Sequence, residues 1–233
     1  MKSKVFGKLS LMVVLMVLSQ LVYAQSREKR DVSGFDALSV SDAFVVEISV
    51  GSTESLEIEA DDEYMDDIIT EVRGGTLRIE MKDSRRNRRM KDSPRAYLTV
   101  KSLDRISASG AVHIKTFDIL KANRFTVDLS GASVINLELD VEDFSFEASG
   151  ACVVSIEGSA KEQRVKISGS TVYRAYDFET EVAVIGVSGA SSASVYASDK
   201  LDVRASGASS IRYRGDAQVN SNTSGASSVR KGQ

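Results

Sequence analysis

Through most of the chain, apolar and polar residues take turns. Counted from Ser130, the residues at odd distances include Val127, Leu129, Ile135 and Leu137, and those between include Asp128 and Asn136. From Ser149 the odd set reads Phe146, Ala148, Val154 and Ile156, and from Ser168 it reads Val165, Ile167, Tyr173 and Ala175. Glu147, Lys166 and Arg174 fall on the even parity. A two-residue period with one apolar side predicts β-strands that wet one face and bury the other. The apolar set Leu137, Leu139, Val141 gives way to Phe144, so the parity switches near Glu142 and Asp143, as a corner or bulge requires.

The serines used as origins belong to a repeat. Ser109-Gly110-Ala111 returns at Ser130, Ser149, Ser168 (with Ser170 in place of Ala), Ser188, Ser206 and Ser224, at intervals of 21, 19, 19, 20, 18 and 18 residues. A nearly constant period of this length is the mark of stacked structural units. An antiparallel meander could use the same alternation, but its neighbouring strands would not align the tripeptides. A parallel β-helix with one unit per coil lays glycine over glycine and apolar residue over apolar residue. The expected fold is therefore all-β, a right-handed parallel β-helix of about seven to eight coils. By count each glycine takes the inward parity, where a missing side chain lets the strand bend and the coils approach. One unit has too few inward apolar side chains to offset the ordering of its own backbone, so only the stack is expected to be stable.

Residues 26–103 depart from the repeat. Leu38, Val40, Phe44, Val46 and Ile48 keep its offsets around Ser41, with Asp42 in place of the glycine, and read as a degenerate first coil. Beyond it, strands are expected at Leu56-Glu57-Ile58-Glu59, at 77–81 and at 96–100. A short acidic helix is expected around Asp62 to Thr70, where Tyr64 with Ile68 and Met65 with Ile69 are spaced four apart. Such a strand and helix excursion can cover the open end of the stack, whose exposed sheet edge would otherwise invite association. Residues 25–233 thus read as a single domain, with the repeat coils over 104–233.

The first 24 residues carry Lys2, Lys4 and Lys8, an apolar run from Leu9 to Leu21, and a small residue at Ala24. This is the pattern of a secretory signal cleaved after Ala24, and no later apolar segment can cross a membrane. Export to the periplasm, the outer-membrane surface or the medium follows. Without the signal the chain holds 27 basic and 33 acidic side chains, a net charge of −6. That sign argues against nucleic acid as a partner. The basic run at 85–91 reads as a solvated hairpin loop, with anchorage to anionic envelope polymer as the sharper alternative.

Chemistry is sparse. With one His and one Cys, no zinc site of imidazole and thiolate and no internal disulfide can form. A nucleophile–histidine pair could use only His113, which lies at an outward offset, and there is no Gly-x-Ser-x-Gly elbow. Cys152 takes an inward offset, that of a buried inert thiol. Asp61, Asp62, Glu63, Asp66 and Asp67 lack the spacing of a calcium loop. Arg214-Gly215-Asp216 is expected to be a turn rather than a recognition tripeptide. No catalytic, metal or cofactor residues are assigned. The binding candidates are Arg174 with Tyr176 on one coil, Tyr196 beside Ser194 on the next, and Arg212 with Arg214 on the third, all at outward offsets. Stacked, they would make an Arg/Tyr strip able to lie against sugar rings or pair with anionic glycans.

The serial Ser-Gly-Ala-Ser motif, the opening Gly34-Phe35-Asp36-Ala37-Leu38 and the segment Gly74-Gly75-Thr76-Leu77-Arg78-Ile79 together resemble the putative auto-transporter adhesin, head GIN domain family of Bacteroidetes-type bacteria. The resemblance spans about residues 31 to 230. It implies an exported β-helical envelope protein and brings no catalytic residues. The expected role is non-enzymatic adhesion or binding of envelope or extracellular polysaccharide. The alternatives are a structural role through lateral homo-oligomers, and polysaccharide processing.

Overall fold

The computed structural model describes residues 25–83 and 92–232; the expected signal and the basic run at 85–91 lie outside them. β1 (Gln25–Arg30) leads to β2 (Ala37–Val40) and β3 (Val45–Val50), which form two sides of a coil with its corner at Ser41-Asp42. The chain then leaves the stack through β4 (Ser55–Asp61), a single helical turn α1 (Asp62–Met65) and β5 (Ile68–Arg73). β6 (Thr76–Met81) and β7 (Arg95–Val100) bring it back.

β6 pairs in parallel with β2, and β7 with β3, so the excursion builds a further coil on the far side of the first one. The outer edges of that coil are then covered by antiparallel strands: β5 on β6, β4 on β7, and β1 on β4. The expected cap exists, made chiefly of strands. The helix expected over 62–70 is corrected to α1 alone. Ile68, Ile69, Thr70 and Val72 are β-branched and join β6 across Gly74-Gly75, whose φ angles of 56° and 75° make the tight reversal of a hairpin.

The column continues from β8 (Arg105–Gly110), β9 (His113–Thr116), β10 (Leu120–Gly131), β11 (Val134–Gly150) and β12 (Val153–Gly169). After these come β13 (Val172–Ala175), β14 (Phe178–Val187), β15 (Ser192–Tyr196), β16 (Lys200–Ala205), β17 (Ser210–Arg214), β18 (Gln218–Thr223) and β19 (Ser228–Lys231). All the pairings among them are parallel, with Ser130 opposite Ser149 and Gly131 opposite Gly150, then Ser149 opposite Ser168 and Gly150 opposite Gly169. The stacked-coil reading holds.

The glycine's place needs correction. Gly131 is exposed at a corner with φ +89°, and a Cβ there would come 2.6 Å from the Gly110 carbonyl oxygen of the preceding coil. The missing side chain would have pointed along the column rather than into it. Asp42 does the same job without being glycine: its φ is 71°, and Gly110 stacks against its carbonyl. Asp tolerates this left-handed conformation better than most residues.

Inside, the odd-parity residues form one continuous core from Val32 to Ile211. The parity switch falls where expected, with Val141 and Phe144 buried on either side of Glu142 and Asp143. Phe144 meets Phe178 edge-on at 5.3 Å, and Phe146 lies 5.1 Å from Tyr173. Three residues past each glycine-corner serine, a small side chain turns inward. Ser133, Thr171, Ser191 and Ser209 there donate to the glycine carbonyl one coil back. Cys152 occupies the same row, fully buried, with Sγ 3.7 Å from the Gly131 oxygen.

Candidate functional site

Strand register turns the repeat into rows of side chains on the outer wall. One such row carries Glu47, Lys115, Asn136, Ser155, Arg174, Ser194, Arg212 and Arg230 in successive coils. Two residues further along each strand, Glu138 faces Glu157, and Tyr196 faces Arg214. Tyr176 directly follows β13, whose Ala175 pairs with Val195, so it lies beside Tyr196. All five residues expected in the strip thus sit on one face of the C-terminal coils.

Their surroundings differ from those of the remaining wall. Elsewhere, several charges on adjacent coils compensate one another: Lys121 with Asp140 at 2.9 Å, Lys161 with Glu142 at 2.9 Å, Lys166 with Glu147 at 2.7 Å, Arg105 with Asp128 at 3.2 Å. The hydrogen bond from Lys121 holds the Asp140 carboxyl below the ordinary carboxylate range, and that from Lys200 does the same for Asp202. Arg174, Arg212 and Arg230 are exposed, and no acid among the described residues pairs with them. Arg212 and Arg230 are direct partners across adjacent strands, a juxtaposition of like charges that costs stability.

The tyrosines are less available than the sequence suggests. The Arg214 guanidinium lies over the Tyr176 ring at 4.2 Å from its centroid, reaching past the intervening coil. The Tyr176 hydroxyl also lies against Gly232, where a Cβ would come within 2.6 Å. Both Tyr176 and Tyr196 are half-buried. The face is therefore a cationic surface with tyrosine edges rather than an open aromatic platform.

Beneath it lies a buried polar network. Tyr173 donates to Gln163 Oε1 at 3.2 Å, and Gln163 Nε2 donates to Thr180 Oγ1 at 2.8 Å and to the Tyr196 carbonyl at 3.1 Å. Thr180 also donates to that carbonyl, at 2.5 Å. Burial pushes the Tyr173 hydroxyl well above its ordinary range, so it stays a neutral donor. With every side-chain member paired, the network fixes the chain at Tyr196, where β15 ends and the exposed face begins.

Two features of this region escaped the sequence reading. Arg230 stands six residues after Ser224, the same offset as Arg174 from Ser168, and counting one more unit would have found it. Gln163 takes the register position of Phe144, a polar residue where the preceding coil has a buried ring.

The remaining candidates stay apart. His113 is exposed on β9. Arg214-Gly215-Asp216 forms the turn between β17 and β18, with Gly215 at φ +92° and Asp216 paired to Lys231 at 3.1 Å. Among the described residues no three His, Cys, Asp or Glu side chains converge as a metal-ligand set. No helix among them is long and apolar enough to cross a membrane.

A family model described as "Putative auto-transporter adhesin, head GIN domain" matches residues 34–217. No curated protein matches the chain. Among solved structures, a putative adhesin from Bacteroides fragilis is similar with a TM-score of 0.83 at 17% identity, covering 89% of this chain and 97% of that one. A putative adhesin from Parabacteroides merdae gives 0.70 at 18%, covering 89% and 96%. A protein from Parabacteroides distasonis described as a putative lipid binding protein gives 0.71 at 20%, also covering 89% and 96%. At these identities the likeness is one of fold.

Proposed function

We propose, from the premise that this chain belongs to the putative auto-transporter adhesin, head GIN domain family, that it is an exported, non-enzymatic binding protein of the cell envelope. Its ligand is polysaccharide, held at the face of Arg174, Tyr176, Tyr196, Arg212 and Arg214, which Arg230 extends. The observation that carries this reading is that exposed Arg174, Arg212 and Arg230 have no acidic partner among the described residues, on a wall where several other charges are compensated from coil to coil. A surface kept at a cost to stability is a surface kept for something else.

Export is supported by the amino-terminal pattern of lysines, an apolar run and a small residue at Ala24. The expected product in the envelope is a chain starting at Gln25, read by mass spectrometry of the fractionated cell. For binding, the test is retention of envelope polysaccharide fractions by the mature protein, with the release of new sugar ends followed in parallel. Retention without release is expected, and retention should be lost when Arg174→Ala, Tyr196→Ala and Arg212→Ala are combined. Retention undiminished in that triple variant would remove the face from consideration, and release of sugar ends would make the protein an enzyme.

A further inference from the structure

The row register says more about the ligand than its being a glycan. Resting on the reading above, we propose that the face is a track for an acidic polysaccharide laid parallel to the column axis. Arg174, Ser194, Arg212 and Arg230 stand opposite one another in successive strands. From the first arginine to the last is three strand steps, roughly 14 Å at about 4.8 Å each, the reach of about three to four sugars in an extended chain. The guanidiniums therefore lie on a line, and anionic groups recurring along one side of an extended polymer can meet them in turn.

Three further observations fix the sign and limits of the track. Glu138 and Glu157 face each other on the neighbouring row, on the two coils before Tyr176, so a polyanion is repelled beyond Arg174. Several lysines and arginines elsewhere on the wall are paired with acids of the adjacent coil, and the mature chain is net acidic. An acidic polymer thus finds favourable ground on the row of Arg174, Arg212 and Arg230. Arg214 already occupies the face of Tyr176, so charge leads recognition and the tyrosines contribute their edges. The shared chemistry is an anionic group borne on sugar, a carboxylate or a sulfate.

The experiment titrates the full mature chain with oligogalacturonates of two to six sugars, sulfated oligosaccharides of the same lengths, and neutral cello-oligosaccharides as controls. Acidic oligomers are expected to bind, with affinity rising up to about four sugars and then levelling. Binding should weaken as salt rises. The double variant Arg212→Gln/Arg230→Gln should lose about tenfold in affinity, since two exposed ion pairs are together worth up to about that much. Lys115→Gln, on the same row toward the other end, should lose nothing, and an unchanged unfolding midpoint shows that each variant is folded. The carboxylate and sulfate series show which anion the track prefers. Equal binding of neutral and acidic oligomers, or indifference to the double variant, would overturn the acidic track while leaving glycan binding intact. Failure of every oligosaccharide, and of polysaccharide as well, would overturn both.

Discussion

The two ends of the column solve the same problem in opposite ways. At the amino-terminal end the outermost coil, β6 with β7, is closed by antiparallel strands, and charges of the cap and of the coil find partners: Lys29 with Glu57 at 3.6 Å, Arg95 with Glu47 at 3.4 Å. Arg27 there both bonds Glu59 and lies over Tyr97 at 4.3 Å. At the carboxy-terminal end, among the described residues, β18 and β19 pair only with the coil before, every residue of β18 is exposed, and Arg174, Arg212 and Arg230 of the outer row have no acidic partner. A guanidinium lies over a tyrosine ring at both ends, and at the first Glu59 bonds both members of the pair. The contrast separates an end built to be closed from one whose wall is left charged toward solvent.

Core truncations should divide along the same line. Phe144→Ala removes a ring packed against two others in the middle coils and is expected to cost about 3–5 kcal/mol in urea unfolding. Val219→Ala, on the exposed last coil, should cost no more than about 0.5 kcal/mol. A large loss at Val219 would mean that the terminal coil is more tightly integrated than its exposure indicates.

Corner glycines give the next largest effect. Gly131→Ala forces a side chain toward the Gly110 carbonyl between fixed coils and should cost on the order of 3 kcal/mol. Gly225→Ala meets the Gly207 carbonyl at 2.7 Å in a similar backbone conformation, but its coil is free to shift away. It should cost about 1 kcal/mol. Equal costs at the two sites would show that the last coil is held as firmly as the middle.

Charge removal tests the outer row by sign. Arg212→Gln relieves repulsion from Arg230 and should raise the thermal midpoint by about one degree, whereas Lys166→Gln breaks its pair with Glu147 and should lower it by a similar amount. A fall in both cases would mean that Arg212 has a stabilising partner after all.

Acid should produce the smallest change. Asp140 and Asp202, with carboxyls held low by Lys121 and Lys200, support the fold above their unfolded value near pH 4. That support is lost as the pH falls through their lower folded values. A slight drop in thermal midpoint between pH 5 and pH 3 is expected. Lys121→Gln should reduce that drop, and Arg212→Gln should leave it unchanged.

Much of this architecture was legible because a repeat reports its own stacking. The serial Ser-Gly corners, the inward Cys152 and the parity switch at Glu142 and Asp143 needed only counting. What was hidden depended on order in space. Asp42 lies against Gly110 although 68 residues separate them, and nothing local to either says that the intervening chain builds its coil on the opposite side. Gly74-Gly75 is itself a hairpin signal, yet the four-residue spacing of Tyr64 and Ile68 suggested a helix in place of the strand that follows. The glycine's direction was misjudged because parity distinguishes only inside from outside, and these corners point along the axis. At the site, register supplied the row of arginines, but the reach of Arg214 across a coil to Tyr176 is a matter of side-chain geometry that no offset encodes.

The most direct test follows backbone amide resonances of the mature protein while galacturonate tetramer is added. Shifts are expected on β13, β15, β17 and β19, with none on β3, β7 or β9. Shifts centred on β3, β7 or β9, or scattered evenly around the column, would contradict the assignment of the uncompensated face as the binding surface.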